Sequence, residues 1–191
     1  ENVKKVMEMY DGDAKIITFG EGQENDYRLV GNTIVSSQGE FPLELSIIGK
    51  HSRMNATAVF AFLAYLDFDL PQVLRGMRSF TGTRRRQELK GELTSGAKVY
   101  DDYAHHPTAI EAVIAGAREL YPKARLHVIF EPHTYSRTAG MFDQFARVLA
   151  KADRTIILPI YAAREENSSG VSSRELAVKA LEYNQHVSFV N

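Results

Sequence analysis

"KVYDDYAHHPTAIEAVIAGARELYPKARLHVIF", residues 98–130, decides the fold of the second half of this chain. Lys98 to Asp101 reads as a short strand. Thr108 to Tyr121 sets apolar side chains at helical spacing, with Pro107 just ahead, where its missing N–H breaks no intrahelical bond. Leu126 to Phe130 is an apolar run of strand length. Strand, helix, strand in that order predicts a crossover unit whose helix packs on a sheet.

The alternation continues in both directions. Arg86 to Leu93 reads as a strand, Ala139 to Ala150 as a helix and Thr155 to Ile160 as a strand. Ser172 to Tyr183 is then a helix and Val187 to Val190 a strand. The expectation is α/β: a mostly parallel sheet with helices on both faces.

Ahead of it the pattern differs. Residues 2–10 carry apolar groups at helical spacing, and Asp11-Gly12-Asp13 ends them. Ala14 to Phe19, Asp26 to Val30, Thr33 to Ser36 and Phe41 to Ile48 read as strands. Gly31-Asn32 and Gln38-Gly39 supply turns, so an antiparallel meander is predicted. Asn55 to Leu66 is apolar all round and is expected to be a buried helix. Pro71 to Met77 opens a second helix. The change of pattern at Phe80-Thr81-Gly82-Thr83 places a domain boundary there, giving residues 1–81 and 82–191.

The bulk numbers narrow the function classes. Of 191 residues, 44% are hydrophobic and 25% charged, and the formal net charge is −1. Bulk charge therefore offers nucleic acid nothing. With no cysteine, disulfides, thiolate zinc sites and cysteine nucleophiles are excluded, which suits a reducing compartment. The longest apolar stretch, Ala56 to Leu66, falls well short of the roughly 20 residues that span a bilayer. The opening Glu-Asn-Val-Lys-Lys-Val reads as mid-helix, and the expectation is a fragment of a longer enzyme.

Chemistry-bearing residues gather after three predicted strands, where open α/β sheets hold ligands. Asp101, Asp102, Tyr103, His105 and His106 follow one. Glu131, Pro132, His133, Tyr135 and Arg137 follow the next. Tyr161, Arg164, Glu165 and Glu166 follow the third. The adjacent histidines invite a metal, but their spacing matches no zinc motif, and no metal site is expected. His106 is left open between packing and ligand contact. Arg84-Arg85-Arg86 reads either as a solvated turn or as an anion clamp. In "GKHSRMN", residues 49–55, Ser52 is an N-cap candidate, or the segment meets a ligand. In "EPHTYSRT", residues 131–138, the helix start and Arg137 favour a carboxylate, or Ser136 merely caps. No GxxxxGK[ST] phosphate loop occurs.

Taken in order, GKH…N…A, F-x-G-x-x-R-R, DDYAHHPT, EPHTYSRT and YAAREE resemble the Mur ligases over essentially the whole chain. The resemblance implies ATP-dependent amide formation through an acyl phosphate, in the cytoplasm, with ATP and Mg²⁺ required. Residues 1–81 match the last part of the family's central ATPase domain. Residues 82–191 match most of its Rossmann-like C-terminal domain. The phosphate loop and Mg²⁺ ligands are expected upstream, so the 191 residues alone should be inactive. EPHTYSRT points to the member whose substrates are UDP-N-acetylmuramate and L-alanine. The alternatives are the member that recycles a murein tripeptide and a non-catalytic nucleotide-binding module on a ligase fold.

Carried over from the family, His51 and Asn55 match the adenine side. Arg86 matches an arginine that reaches the ATP phosphates, and Asp102 an acid that holds the ribose. Tyr103 and His105 match positions near the amino acid and muramoyl group, and His133 and Arg137 the pair that recognises the amino-acid carboxylate. Ser52 stands where the family usually has Asn, and Thr134 where many members have a second arginine.

Overall fold

The computed structural model describes residues 2–190, which divide into two compact units. One holds the residues up to Glu44 together with Met54–Met77. The other holds Leu45–Arg53 and everything from Arg78 onward.

The first unit is built on β1 (Phe19–Gly20), β2 (Tyr27–Val30), β3 (Thr33–Ser36) and β4 (Gly39–Pro42), in that order across one sheet. β2, β3 and β4 form the antiparallel meander, but β1 joins β2 in parallel. The strand expected over Ala14 to Phe19 shrinks to its last residue and Gly20. Asp26 explains where it begins: its carboxylate accepts from Thr18 N and Thr18 Oγ1, both at 2.8 Å. These bonds pull the Asp26 carboxyl below its ordinary value. The helices are α1 (Asn2–Glu8), α2 (Lys50–Tyr65) and α3 (Leu70–Ser79).

α2 departs twice from its reading. It begins five residues earlier than Asn55, and it is not buried all round. Phe60 is fully buried, with Tyr27 edge-on at 6.1 Å and Phe41 at 4.8 Å. Phe62 is 59% exposed, and Val59 and Tyr65 are exposed with it. The described residues supply a packing layer for one face of this helix only.

The second unit opens with β5 (Glu88–Glu92) and β6 (Lys98–Asp101), an antiparallel hairpin with a bulge between Leu89 and Gly91. Leu93 N to Ala97 O and Gly96 N to Leu93 O, both 2.8 Å, close its turn. A connection this short permits only an antiparallel pair. The parallel sheet proper is β7 (His127–Phe130), β8 (Arg154–Ile157) and β9 (Val187–Phe189), in sequence order. Its connecting helices are α4 (Pro107–Leu120), α5 (Tyr135–Gly140), α6 (Phe142–Leu149) and α7 (Ser173–Leu181). The single helix expected from Ala139 is two, broken at Met141, whose backbone leaves the helical region (φ −128°, ψ 29°).

Register and burial identify the packed face. Phe130, Ile157 and Phe189 lie side by side in register, as do Thr155 and Val187. Phe130, Ile157 and Val187 join Ile110 and Ile114 of α4, Phe145 and Leu149 of α6, and Leu176 of α7 in one core. Sequential parallel strands joined by crossovers of one hand must carry all their connecting helices on one side. The opposite face carries Ile129, which is 69% exposed. Helices were expected on both faces; among the described residues the core helices pack on the face of Phe130, Ile157 and Val187.

Candidate functional site

The first cluster forms where Leu45–Arg53 meets the hairpin. Gly49 packs against Gly116 of α4: a Cβ on Gly116 would lie 3.5 Å from Gly49 Cα and 3.2 Å from Gln87 Nε2. Arg53 pairs with Glu119 of the same helix at 2.8 Å. This docking places His51, on the first turn of α2, within electrostatic reach of Asp102 and Arg86. Burial pushes the His51 imidazole below its ordinary value; the Asp102 carboxylate opposes this, and the Arg86 and Arg53 cations reinforce it. The Nε2 amide of Gln87 is buried there without a partner.

Asp102 is a structural hub as well as a candidate ligand. Its Oδ2 accepts from Gln87 N at 2.8 Å and its Oδ1 from Ala104 N at 2.7 Å. A carboxylate has about four acceptor positions, so each oxygen keeps one for a ligand. The backbone it grips is strained: Arg85 and Gln87 sit at φ 56° and 48°, the left-handed region. Of the three arginines, Arg85 is spent on protein. Its guanidinium lies 4.7 Å from the Tyr103 ring centre and 3.8 Å from Asp101. Arg86 is exposed and makes no ion pair among the described residues.

Tyr103 also meets the His105 ring edge-on at 4.9 Å. His105 Nδ1 lies 2.8 Å from Tyr103 O. A carbonyl can only accept, so Nδ1 carries the proton, and in the neutral ring Nε2 is then the acceptor. His106, left open by the sequence, is the N-cap of α4: its Nδ1 accepts from Thr108 N at 3.2 Å. Both Nδ1 atoms are thus committed to backbone.

The second cluster lies beyond β7 and β8. His133 bridges to Tyr161 in parallel, and their rings stack at 5.1 Å with 20° between planes. Tyr161 is 53% exposed. Arg137, in the last turn of α5, folds back so that Nη1 donates to the His133 carbonyl and lies 3.3 Å from His133 Nδ1. Among the described residues Nη2 and Nε make no hydrogen bond.

Between them, the loop is tied to Glu165. Thr134 Oγ1 donates to Oε1 at 2.5 Å and Ser136 Oγ to the same oxygen at 2.6 Å; Ser136 N donates to Oε2 at 2.8 Å. Ser136 is therefore not a cap by its own hydroxyl. Thr134 is the N-cap residue and makes no side-chain cap bond, so a carboxylate about thirty residues downstream takes that role.

The structure brings His51, Arg86 and Asp102 together, places Tyr103 and His105 in contact, and pairs His133 with Arg137. Asn55 belongs to the first unit and is exposed on α2. Ser52 is not an N-cap: it lies inside α2, buried, and its Oγ donates to Ile48 O at 2.7 Å. Thr134 is 9% exposed and turned toward Glu165. Glu165 was visible as one of the acids after the third strand, but nothing in the sequence pairs it with residues 134–136. Its signal is purely one of distance in space.

Residues 85–191 match the family model described as "Mur ligase, glutamate ligase domain". The chain is 39% identical over 168 residues to the UDP-N-acetylmuramate–L-alanine ligase of Arthrobacter sp. (strain FB24), covering 85% of this chain and 36% of that protein. It is 39% identical over 164 residues to the ligase of the same name from Clostridium acetobutylicum, covering 86% and 34%. The solved UDP-N-acetylmuramate–alanine ligase of Thermotoga maritima superposes with a TM-score of 0.74 at 26% identity, covering 94% of this chain and 39% of that one. The chain thus spans little more than a third of the length of the curated relatives it matches. The matched family residues run from the strained Arg85 turn through all three strand-end loops to the last strand, and the chain belongs to the Mur ligase family.

Proposed function

We propose that this chain is part of a cytoplasmic ligase that joins the amine of L-alanine to the carboxylate of UDP-N-acetylmuramate at the expense of ATP. Residues 1–81 are its share of the central ATP-binding domain, and residues 82–191 its share of the Rossmann-like C-terminal domain. The observation that carries this reading is the His133–Arg137 pair at the mouth of the parallel sheet, with two guanidinium nitrogens unspent.

A carboxylate is a poor acyl donor, and ATP supplies the phosphoryl group that makes it an acyl phosphate. The residues of this chain position and neutralise. Arg137 forks onto the alanine carboxylate through Nη2 and Nε, a planar match that a lysine cannot make. His133, held flat by Tyr161, lines the same place. Tyr103 and His105 lie on the substrate side of the first cluster, His105 offering Nε2 as an acceptor. Asp102 keeps one lone pair per oxygen for ribose hydroxyls. Arg86, without an ion pair among the described residues, is free to meet phosphate. His51 and Asn55 are assigned to the adenine side. Among the described residues no three His, Cys, Asp or Glu side chains gather as a metal requires, so we place the Mg²⁺ ligands elsewhere in the ligase. Among the described residues no helix is long and apolar enough to cross a membrane.

The test uses the full-length protein with UDP-N-acetylmuramate and ATP, offering L-alanine against the murein tripeptide. Alanine should be preferred, and Arg137→Ala should raise the KM for alanine about 100-fold through lost positioning. A preference for tripeptide, or an unchanged KM, would overturn the reading. The 191-residue chain alone, lacking a phosphate loop, should form no amide.

A further inference from the structure

Glu165 lies in the YAAREE segment but no role is carried over to it, yet it is the most heavily bonded side chain near the second cluster. It accepts from two hydroxyls and the Ser136 amide, and the Tyr135 amide adds to these. Hydrogen bonds from Ser136 and Thr134 hold its carboxyl down to about 2, so it stays ionised at any working pH. The residues it grips, Thr134 to Ser136, are those between His133 and Arg137. The loop that carries it begins at Tyr161, which stacks on His133.

Two consequences follow from that geometry. The backbone between His133 and Arg137 has little freedom while Glu165 is ionised, so the pair is presented in a fixed arrangement before any ligand arrives. The first amides of α5, which might attract an anion, are already occupied by a protein carboxylate. A second carboxylate entering here meets a negative charge at the helix start and finds a compensating cation at Arg137.

We propose that Glu165 is a positioning residue for the amino-acid substrate: it locks residues 134–136 and thereby directs the incoming carboxylate onto the His133–Arg137 pair. The proposal rests on the reading of that pair as the amino-acid site. It extends the site to a residue that touches no substrate and acts through the loop it holds.

The test is made in the full-length ligase. Glu165→Gln keeps the volume but turns an NH₂ donor toward donors. It should raise the KM for L-alanine about 10- to 100-fold and leave the KM for ATP within about twofold. Ser136→Ala should move the alanine KM the same way by a smaller factor. If Glu165→Gln does not fold, the double variant Thr134→Val, Ser136→Ala removes the two hydroxyl donors instead and carries the same direction of change and the same disproof. A merely structural Glu165 would lower the melting temperature and leave the alanine KM unmoved. That result, seen while Arg137→Ala does raise the alanine KM, overturns the proposal. If Arg137→Ala also leaves it unmoved, the amino-acid site itself has been misplaced and the proposal falls with it.

Discussion

Two of the three strand-end loops of the second unit are built in different ways. The loop from Asp101 to Pro107 is held by its own residues and by the Arg85–Gln87 turn that precedes the hairpin. Asp102 reaches Ala104, His105 reaches the Tyr103 carbonyl, and His106 reaches Thr108, each two positions away. Its distant ties run to the Arg85–Gln87 turn: Asp102 accepts from Gln87 N, Tyr103 N donates to the Arg85 carbonyl at 2.8 Å, and the Arg85 guanidinium lies against Tyr103 and Asp101. The loop from Glu131 to Arg137 is held from outside, by Glu165 on its start of helix and by Tyr161 on His133. A loop that ties itself keeps its shape if its neighbours shift. A loop tied from thirty residues away keeps its shape only while the sheet beneath both segments is intact.

The comparison is broken most severely at Asp102. Asp102→Ala removes a charged acceptor from two backbone amides, one of them on the strained Gln87. It should cost about 3 kcal/mol, with both lost bonds to a charged group counted. Urea unfolding of the chain measures this, and a loss well under 1 kcal/mol would mean the loop is held by something other than its own carboxylate. His106→Ala is next. It removes one capping acceptor from α4 and should cost about 1 kcal/mol. The same titration reads it, and an unchanged midpoint would return His106 to the role of ligand contact.

The smallest expected effect sharpens the other side. Glu165 has a folded carboxyl lowered from 4.5 to about 2, so the unfolded chain binds its proton first as pH falls. The stability this tie contributes is fully present above about 4.5, weakens below it, and is lost as pH falls through about 2, where the folded carboxyl itself takes up its proton. The Ser136 amide resonance should therefore stay still from pH 7 to about 3.5, a window in which an ordinary carboxyl titrates. A shift of that resonance centred near 4.5 would show that Glu165 is not gripped as described.

Much of this molecule was legible in one dimension. β3 and β6 fall on their expected residues, and the α4 helix starts at the proline that marks it. The candidate site was legible as a grouping wherever one short segment carried it: the DDYAHH loop, the His133–Arg137 spacing of one helical turn, the arginine run. The misses share a cause. α2 starts early because Ile48 and Gly49 offer carbonyls to Ser52, a local preference that the apolar pattern starting at Asn55 conceals. Its exposed Phe62 and Val59 show that apolar content states a capacity for burial, while packing decides which face is used.

By itself the sequence determined the order of strands and helices, the parallel pairing that a crossover requires, and which residues crowd the strand ends. These follow from periodicity, turn residues and connection length, which are properties of neighbours along the chain. Only the tertiary structure decided that Asp102 spends half its acceptors on backbone, that Arg85 is consumed by Tyr103 while Arg86 makes no ion pair among the described residues, and that Glu165 holds the loop of His133 and Arg137. Hydrogen bonds and ion pairs need groups about 3 Å apart, and for segments thirty residues distant only the packed sheet brings them that close.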